Sequence, residues 1–437
     1  MPISSRKHWL FFIIFISLFL RFLGLNQINT AVFDEVFYPQ YGLMYLQGED
    51  FFYAHPPLAN YLYSFAIWLY SLLPWANIDS IQTIDFDLLN PLSYRWINAL
   101  AGSLLCLVIY GIALQFTKKQ SFAVICSFLI AIEGSLIVDS RIALANIFLL
   151  TFGFLSLFFL LRFYLEEKGL LNLIVASIFM GMTISIKWSG LGFLLASFCL
   201  IAFIRFRQLK DLDILPMFFL AVFSCLTYIL IFIPDLYLNE SYGFIEKHKQ
   251  ISGYHQNMVA ENEHPYCSKW YTWPIMQRPI GYFFEVTEVN LDGFNISYYS
   301  NIHLLPNPSI YGFSLIAISI MLFQFIQISN VKNDPSKKNQ VLIPFVSLGY
   351  LANFLPWVFV DRCLFLYHYQ AASVFSFIAL AWYLSKLIES SKFFNRILAL
   401  TIITIIIISF FYWLPLQMGF LIPDYEFNRR IWFQSWI

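Results

Sequence analysis

Charge is scarce in this 437-residue chain: 26 Lys and Arg against 26 Asp and Glu leave a formal net charge of zero and only 12% charged residues. So sparse and balanced a set cannot cover the surface of a soluble protein of this length, and it offers no extended basic face to nucleic acid. Cysteine is scarce too. Of six, Cys106, Cys126, Cys199 and Cys225 fall in apolar runs. Cys267 and Cys363 lie in polar segments, where their loose spacing favours free thiols over a disulfide. No metal-type ligand spacing occurs, so no metal and no cofactor is expected. Repeats and low-complexity linkers are missing as well, and residues 1–437 read as a single membrane domain.

What the chain has is apolar surface: 59% hydrophobic residues, 20% aromatic, mean hydropathy +0.67. Runs long enough to cross a bilayer lie near 8–25, 96–117, 120–138, 142–161, 169–187, 189–204, 213–234, 308–328, 340–358, 364–385 and 397–414. The expected fold class is therefore all-α integral membrane, with about eleven transmembrane helices. Alternate connections carry the basic residues Arg6/Lys7, Lys118/Lys119, Arg162/Lys168, Arg205/Arg207/Lys210, Lys332/Lys337/Lys338 and Lys386/Lys392/Arg396, fifteen of the 26. Cytoplasmic flanks are enriched in this way, so the amino terminus reads as cytoplasmic and the carboxyl terminus as external. The first run resembles a secretory signal without a clear cleavage site and reads as retained. Arg21 and Glu133, close to run ends, are expected to reach an interface.

Three external segments can build a site: 26–95, 235–307 and the tail 415–437. In the first, Tyr38 to Leu46 suits an amphipathic surface helix, and Pro56-Pro57 can start a second over Leu58 to Leu73. A bilayer crossing at 58–75 would invert every later span and turn the basic loops outward, so that reading is set aside. Polar groups at span ends are costly and call for a reason. Asp34, Glu35, Arg95, Asp139, Arg141, Lys187, Arg362 and His368 all fall at predicted external ends. Each alone could equally be an interfacial anchor or ion-pair partner.

Phe33-Asp34-Glu35, His55-Pro56-Pro57-Leu58, Ser140-Arg141, Lys187-Trp188, the block His264 to Pro274 with Arg278-Pro279, Pro356-Trp357, Arg362, Tyr367-His368-Tyr369 and Arg430-Ile431-Trp432 to Trp436-Ile437 together resemble the protein O-mannosyltransferase family, from about residue 20 onward. The resemblance implies a GT-C-type glycosyltransferase fold, with external helices in the first loop. It also implies inverting transfer of mannose from a polyprenyl-phosphate carrier to Ser or Thr of translocated protein. The implied partners are that lipid-linked sugar, the polypeptide, membrane lipids and the secretion machinery, at a bacterial plasma membrane or the ER. The segment 235–307 is too short for the MIR domain of eukaryotic members, which matches the compact bacterial form. The usual Gly-Lys after His-Pro-Pro-Leu is Ala59-Asn60, and the usual Asp of the Ser-Arg segment is Asn146.

The residues support such chemistry in their own right. A hydroxyl nucleophile benefits from a carboxylate that takes its proton, and a departing phosphate needs charge neutralisation more than a proton. Asp34 is the expected base, with Glu35 orienting the acceptor or pairing with Arg95. Arg95, Arg141, Arg278 and Arg362 are candidates for the phosphate. His55, His264, Trp270, Trp273 and His368 are candidates for sugar or acceptor. A GT-C transferase acting on an envelope lipid or glycan is the rival enzyme. A transporter or flippase is a distant third, since inverted repeats are missing.

Overall fold

The computed structural model describes residues 3–76, 78–117, 119–166, 169–208, 215–240, 242–257, 264–291, 294–329 and 338–437. Lys118, Lys168, Lys210, Lys332 and Lys337, which entered the orientation argument, lie outside the described residues.

In chain order the helices are α1 (Ile3–Phe22), α2 (Tyr38–Gln47), α3 (Leu58–Ser71), α4 (Leu92–Phe116), α5 (Gln120–Ile132), α6 (Gly134–Arg141), α7 (Asn146–Leu165), α8 (Gly169–Ile186), α9 (Leu191–Gln208), α10 (Leu215–Leu238) and α11 (Phe244–Asn257). A hairpin of β1 (Ile280–Leu291) and β2 (Phe294–Leu304) follows, then α12 (Pro308–Ser329), α13 (Lys338–Phe354), α14 (Gln370–Ile388), α15 (Phe393–Met418), β3 (Leu421–Pro423) and α16 (Asp424–Arg430). Every expected apolar run is helical. Among the described residues, nine helices are long and apolar enough to cross a membrane. α5 and α6 pass only as a pair bent by 59°, and the apolar stretch of α1, His8–Phe22, is shorter. This is a multi-pass integral membrane protein.

The 120–138 run is thus broken, contrary to expectation. The break falls at Glu133, whose extended backbone ends α5 while its carboxylate caps α6, accepting from Leu136 N (2.9 Å) and Ser135 Oγ (2.7 Å). Glu133 also accepts from Asn307 N at 3.1 Å and is fully buried. Capping turns a costly intramembrane charge into a helix start. Arg21 corrects the same expectation from the other side: it reaches no interface but is buried, donating to the carbonyls of Ile130 and Ala131 where α5 stops.

Two further corrections concern the external segments. Residues 280–304 form an antiparallel hairpin, with β3 of the tail pairing to β2, so the fold is not purely helical. Cys267 and Cys363 are disulfide-bonded, with Cα atoms 5.2 Å apart; loose sequence spacing says nothing about segments that fold onto each other. The two short helices expected in segment 26–95 are present: α2 has Pro39 in its first turn and α3 begins directly after Pro57.

Candidate active site

Asp34 sits in a short 3₁₀ turn, Phe33–Val36, just past the end of α1. Its presentation depends on Phe33, whose φ of +53° is rare for a residue with a Cβ. That strain is offset by packing: the Phe33 ring stacks on Tyr282 of β1, centroids 4.4 Å apart and planes at 10°. Burial pushes the Asp34 carboxyl above the usual range; the Lys187 ammonium acts against this and Asp139 reinforces it.

Glu35, one residue on, is fully buried with its acceptor sites engaged. It takes Arg95 Nε at 2.8 Å and Arg95 Nη2 at 2.7 Å, and the backbone N–H groups of Ala143 and Val32 at 2.7 and 2.9 Å. Arg95 completes its fork on the carbonyls of Leu25, Ile28 and Thr30. A guanidinium has five N–H donors, and this one has them all engaged inside the protein. Arg95 therefore has nothing left for a phosphate, and Glu35 nothing for an acceptor.

Arg141 is likewise structural in its contacts. It is buried and donates to the carbonyls of Leu20, Arg21, Leu23 and Gly24, closing the open end of α1 rather than pairing with Asp139. Arg278 lies over the Tyr266 ring and ties Pro265 to the tail carbonyls of Ser435 and Ile437. Of the four arginines named from sequence, Arg362 alone is brought to the site. It is half-buried, with its pKa lowered by desolvation, and lies within electrostatic reach of Tyr367, His55 and His255.

The cation that faces Asp34 most directly is Lys187, between α8 and α9. Its ammonium lies 5.5 Å from the Tyr38 ring centre and 5.3 Å from that of Tyr367, and donates to Asn146 Oδ1 at 2.8 Å. Asn146 Nδ2 donates in turn to Asp139 Oδ2 at 3.0 Å, and Tyr282 Oη donates to Asp139 Oδ1 at 2.9 Å. A continuous frame thus runs from the Asp34 turn through Phe33, Tyr282, Asp139 and Asn146 to the Lys187 ammonium. Sequence reading placed Lys187 at an external span end without giving it a role, and noticed Asn146 only as a departure from the family pattern. It missed Tyr282, one of 26 tyrosines with no local signal.

Lys187, Asn146, Trp357, Tyr367, His368 and Gln370 line a partly open cavity. His368 stacks on Trp273 and meets Trp357 edge-on, and its Nδ1 is held at the Phe365 backbone. Trp273 is fully buried behind it and donates to Ser268 Oγ, so it supports His368 rather than facing a ligand. Trp270 packs on Phe354, and His264 on Phe365. The conspicuous 264–274 block is thus largely the backing of the cavity wall, fixed by the disulfide and by Ser268 N to Leu364 O at 2.8 Å. His55 does reach the site, between Tyr38, Tyr53 and His255; burial holds it well below the usual imidazole pKa, with Lys187, His255 and Arg362 adding to the effect. No group of three or more His, Cys, Asp or Glu placed to hold a metal occurs among the described residues.

Residues 11–242 match the family described as dolichyl-phosphate-mannose-protein mannosyltransferase, and residues 241–436 match the C-terminal four-helix membrane region of protein-O-mannosyltransferase. The chain belongs to the protein O-mannosyltransferase family. Within the second match, α12 to α15 are the four membrane helices of this mannosyltransferase. It is 24% identical to the polyprenol-phosphate-mannose–protein mannosyltransferase of Corynebacterium glutamicum, covering 95% of this chain and 91% of the relative. Its identity to the protein of that name from Mycolicibacterium smegmatis is 22%, over 100% and 94%. Its fold matches a chain of the Saccharomyces cerevisiae protein O-mannosyltransferase Pmt1-Pmt2 complex bound to the sugar donor, with TM-score 0.84 at 15% identity over 100% of this chain and 93% of that one. The Archaeoglobus fulgidus oligosaccharyltransferase is a more distant match, with TM-score 0.59 over 96% and 56%. The GT-C architecture implied by the motifs is therefore the fold of this mannosyltransferase.

Proposed function

We propose that this chain transfers mannose from a polyprenyl-phosphate carrier to Ser or Thr hydroxyls of polypeptides on the outer side of its membrane, inverting the anomeric carbon. The observation that carries the reading is the pairing of Asp34, a half-buried carboxylate with no hydrogen bond among the described residues, with the Lys187 ammonium beside a cavity. In the reaction the acceptor oxygen forms a bond to C1 as the C1–O bond to phosphate breaks. Asp34 receives the hydroxyl proton, and the bonding electrons leave with the phosphate monoester. Lys187 and Arg362 stabilise the charge that develops there, and His55, kept neutral by burial, orients hydroxyl groups together with His368. The lipid-linked sugar serves as substrate, so the transfer calls for no separate cofactor.

The outer location rests on two independent supports: the basic loops of the opposite face and the Cys267–Cys363 disulfide, which persists in oxidising compartments. A thiol introduced at Gln256, exposed on α11, is expected to react with an impermeant reagent in intact cells lacking the native thiols, and one introduced at Asn333 is not. Reversed labelling would overturn the orientation.

The decisive experiment supplies purified enzyme in lipid with labelled polyprenyl-phosphate mannose and a Thr-containing peptide. Label entering peptide supports the reading; label entering only lipid would assign the chain to glycolipid synthesis instead. Asp34→Asn keeps shape and removes basicity, so turnover is expected to fall about 100-fold or more while donor affinity stays within twofold. Near-normal turnover of folded Asp34→Asn enzyme excludes Asp34 as the base.

A further inference from the structure

A second, partly open cavity lies against His55 and Tyr53. The Lys187 cavity is walled by Leu149 and Leu150 of α7 and Ala371 of α14, all within membrane-spanning helices, so a carrier lipid approaches from that side. The second cavity is walled instead by the loop around Phe51 and Phe52, by the outer end of α10 and by α11. Apart from Phe232 and Asp235 of α10, this wall lies outside the membrane-spanning helices, which suits an occupant arriving from the aqueous side.

Three features define that occupant. The walls are aromatic: Phe51 stacks on Tyr41 at 4.7 Å and meets Tyr45 edge-on at 4.8 Å. The fixed charges cancel, because Lys247 pairs with Asp235 at 2.7 Å and Tyr45 Oη also donates to Asp235. Two lining atoms, Asn239 Oδ1 and Gln250 Oε1, are buried acceptors without a partner among the described residues. Asn239 is 5% exposed, and its amide nitrogen is already held by the Phe51 carbonyl at 2.6 Å. A buried acceptor left unpaired is destabilising, so the site suits a ligand that brings hydrogen-bond donors.

We propose that this cavity seats the acceptor polypeptide next to the hydroxyl being modified, holding an uncharged, apolar neighbouring side chain between the aromatic walls while backbone N–H groups donate to Asn239 and Gln250. The proposal rests on the protein-acceptor reading above and adds to it a specificity: residues flanking the modified Ser or Thr are selected for neutrality. Carrier and acceptor then meet from opposite sides at His55 and Asp34.

The test uses full-length enzyme in lipid nanodiscs, labelled polyprenyl-phosphate mannose and synthetic peptides with a single Thr. Gln250→Met removes one acceptor at similar volume, and Phe52→Ala removes part of the wall. Each is expected to raise the peptide KM about tenfold, the loss of one hydrogen bond or of comparable contact, with donor KM and kcat at saturating peptide within twofold of wild type. For the wild-type enzyme, Asp or Lys beside the Thr is expected to raise the peptide KM by a similar factor over Ala. Unchanged peptide KM in the folded variants would overturn the proposal and leave a water-filled cavity. Should Phe52→Ala not fold, the volume-conserving Gln250→Met still decides. Wild-type enzyme that labels lipid and no peptide would remove the protein-acceptor reading itself, and this site with it.

Discussion

Asp34 and Glu35 share a single 3₁₀ turn, yet Glu35 is enclosed by Arg95 and two backbone N–H groups while Asp34 is left within electrostatic reach of Lys187. The turn geometry, not the residue type, divides them into a scaffold carboxylate and a candidate base. Each has its own prediction. Burial raises the Asp34 pKa and Lys187 lowers it, so replacing Lys187 by Gln removes only the lowering influence. A base must be deprotonated to work, and the acid limb of kcat/KM against pH is therefore expected to move to higher pH in Lys187→Gln; an unmoved limb means the two groups do not interact. Glu35→Gln leaves the buried Arg95 uncompensated and is expected to destabilise the protein by about 3–5 kcal/mol, read as a lower melting temperature before any effect on donor affinity. Sequence marked Asp34 and Glu35, together with Arg95, Asp139, Arg141, Lys187, Arg362 and His368, because charged and polar groups at span ends are rare. It could not sort the arginines, since a guanidinium that closes carbonyls reads the same in one dimension as one that awaits a phosphate.

The β1–β2 hairpin carries Tyr282 to the frame around Asp139 and Phe33. Tyr282→Phe keeps the stack and loses the hydrogen bond; Tyr282→Leu loses both. A graded fall in kcat, modest for Phe and larger for Leu, with peptide KM little changed, is expected if the hairpin positions Asp34 through Phe33. Equal effects in the two variants would leave the stack without a role. Membrane helices were legible because eleven apolar runs exceed any other signal in the chain. The hairpin was not: 280–304 alternates weakly, and pairing with β3 more than a hundred residues later supplies part of what holds it. The break at Glu133 was hidden for a related reason. A single carboxylate in an apolar run looks like an interfacial residue until Leu136 N and Asn307 N are found on it.

Across the whole molecule, the disulfide links segments 96 residues apart and fixes the 264–274 block beside Arg362 and His368. A closed loop of that length contributes roughly 2–4 kcal/mol, so Cys267→Ser or reductant is expected to lower the melting temperature and, by loosening the cavity wall, transfer activity as well. Unchanged activity in reduced, folded enzyme would separate the bridge from the site. The embedded charges of α1 bear on a different stage of the protein's life. The Arg21 guanidinium finds Ile130 and Ala131 only 109 and 110 residues later, and the end of α1 receives Arg141 at a similar delay. During synthesis, then, the Arg21 guanidinium has only Ser17 of its own helix to donate to, and the carbonyls at the end of α1 stay open, until α5 and α6 emerge.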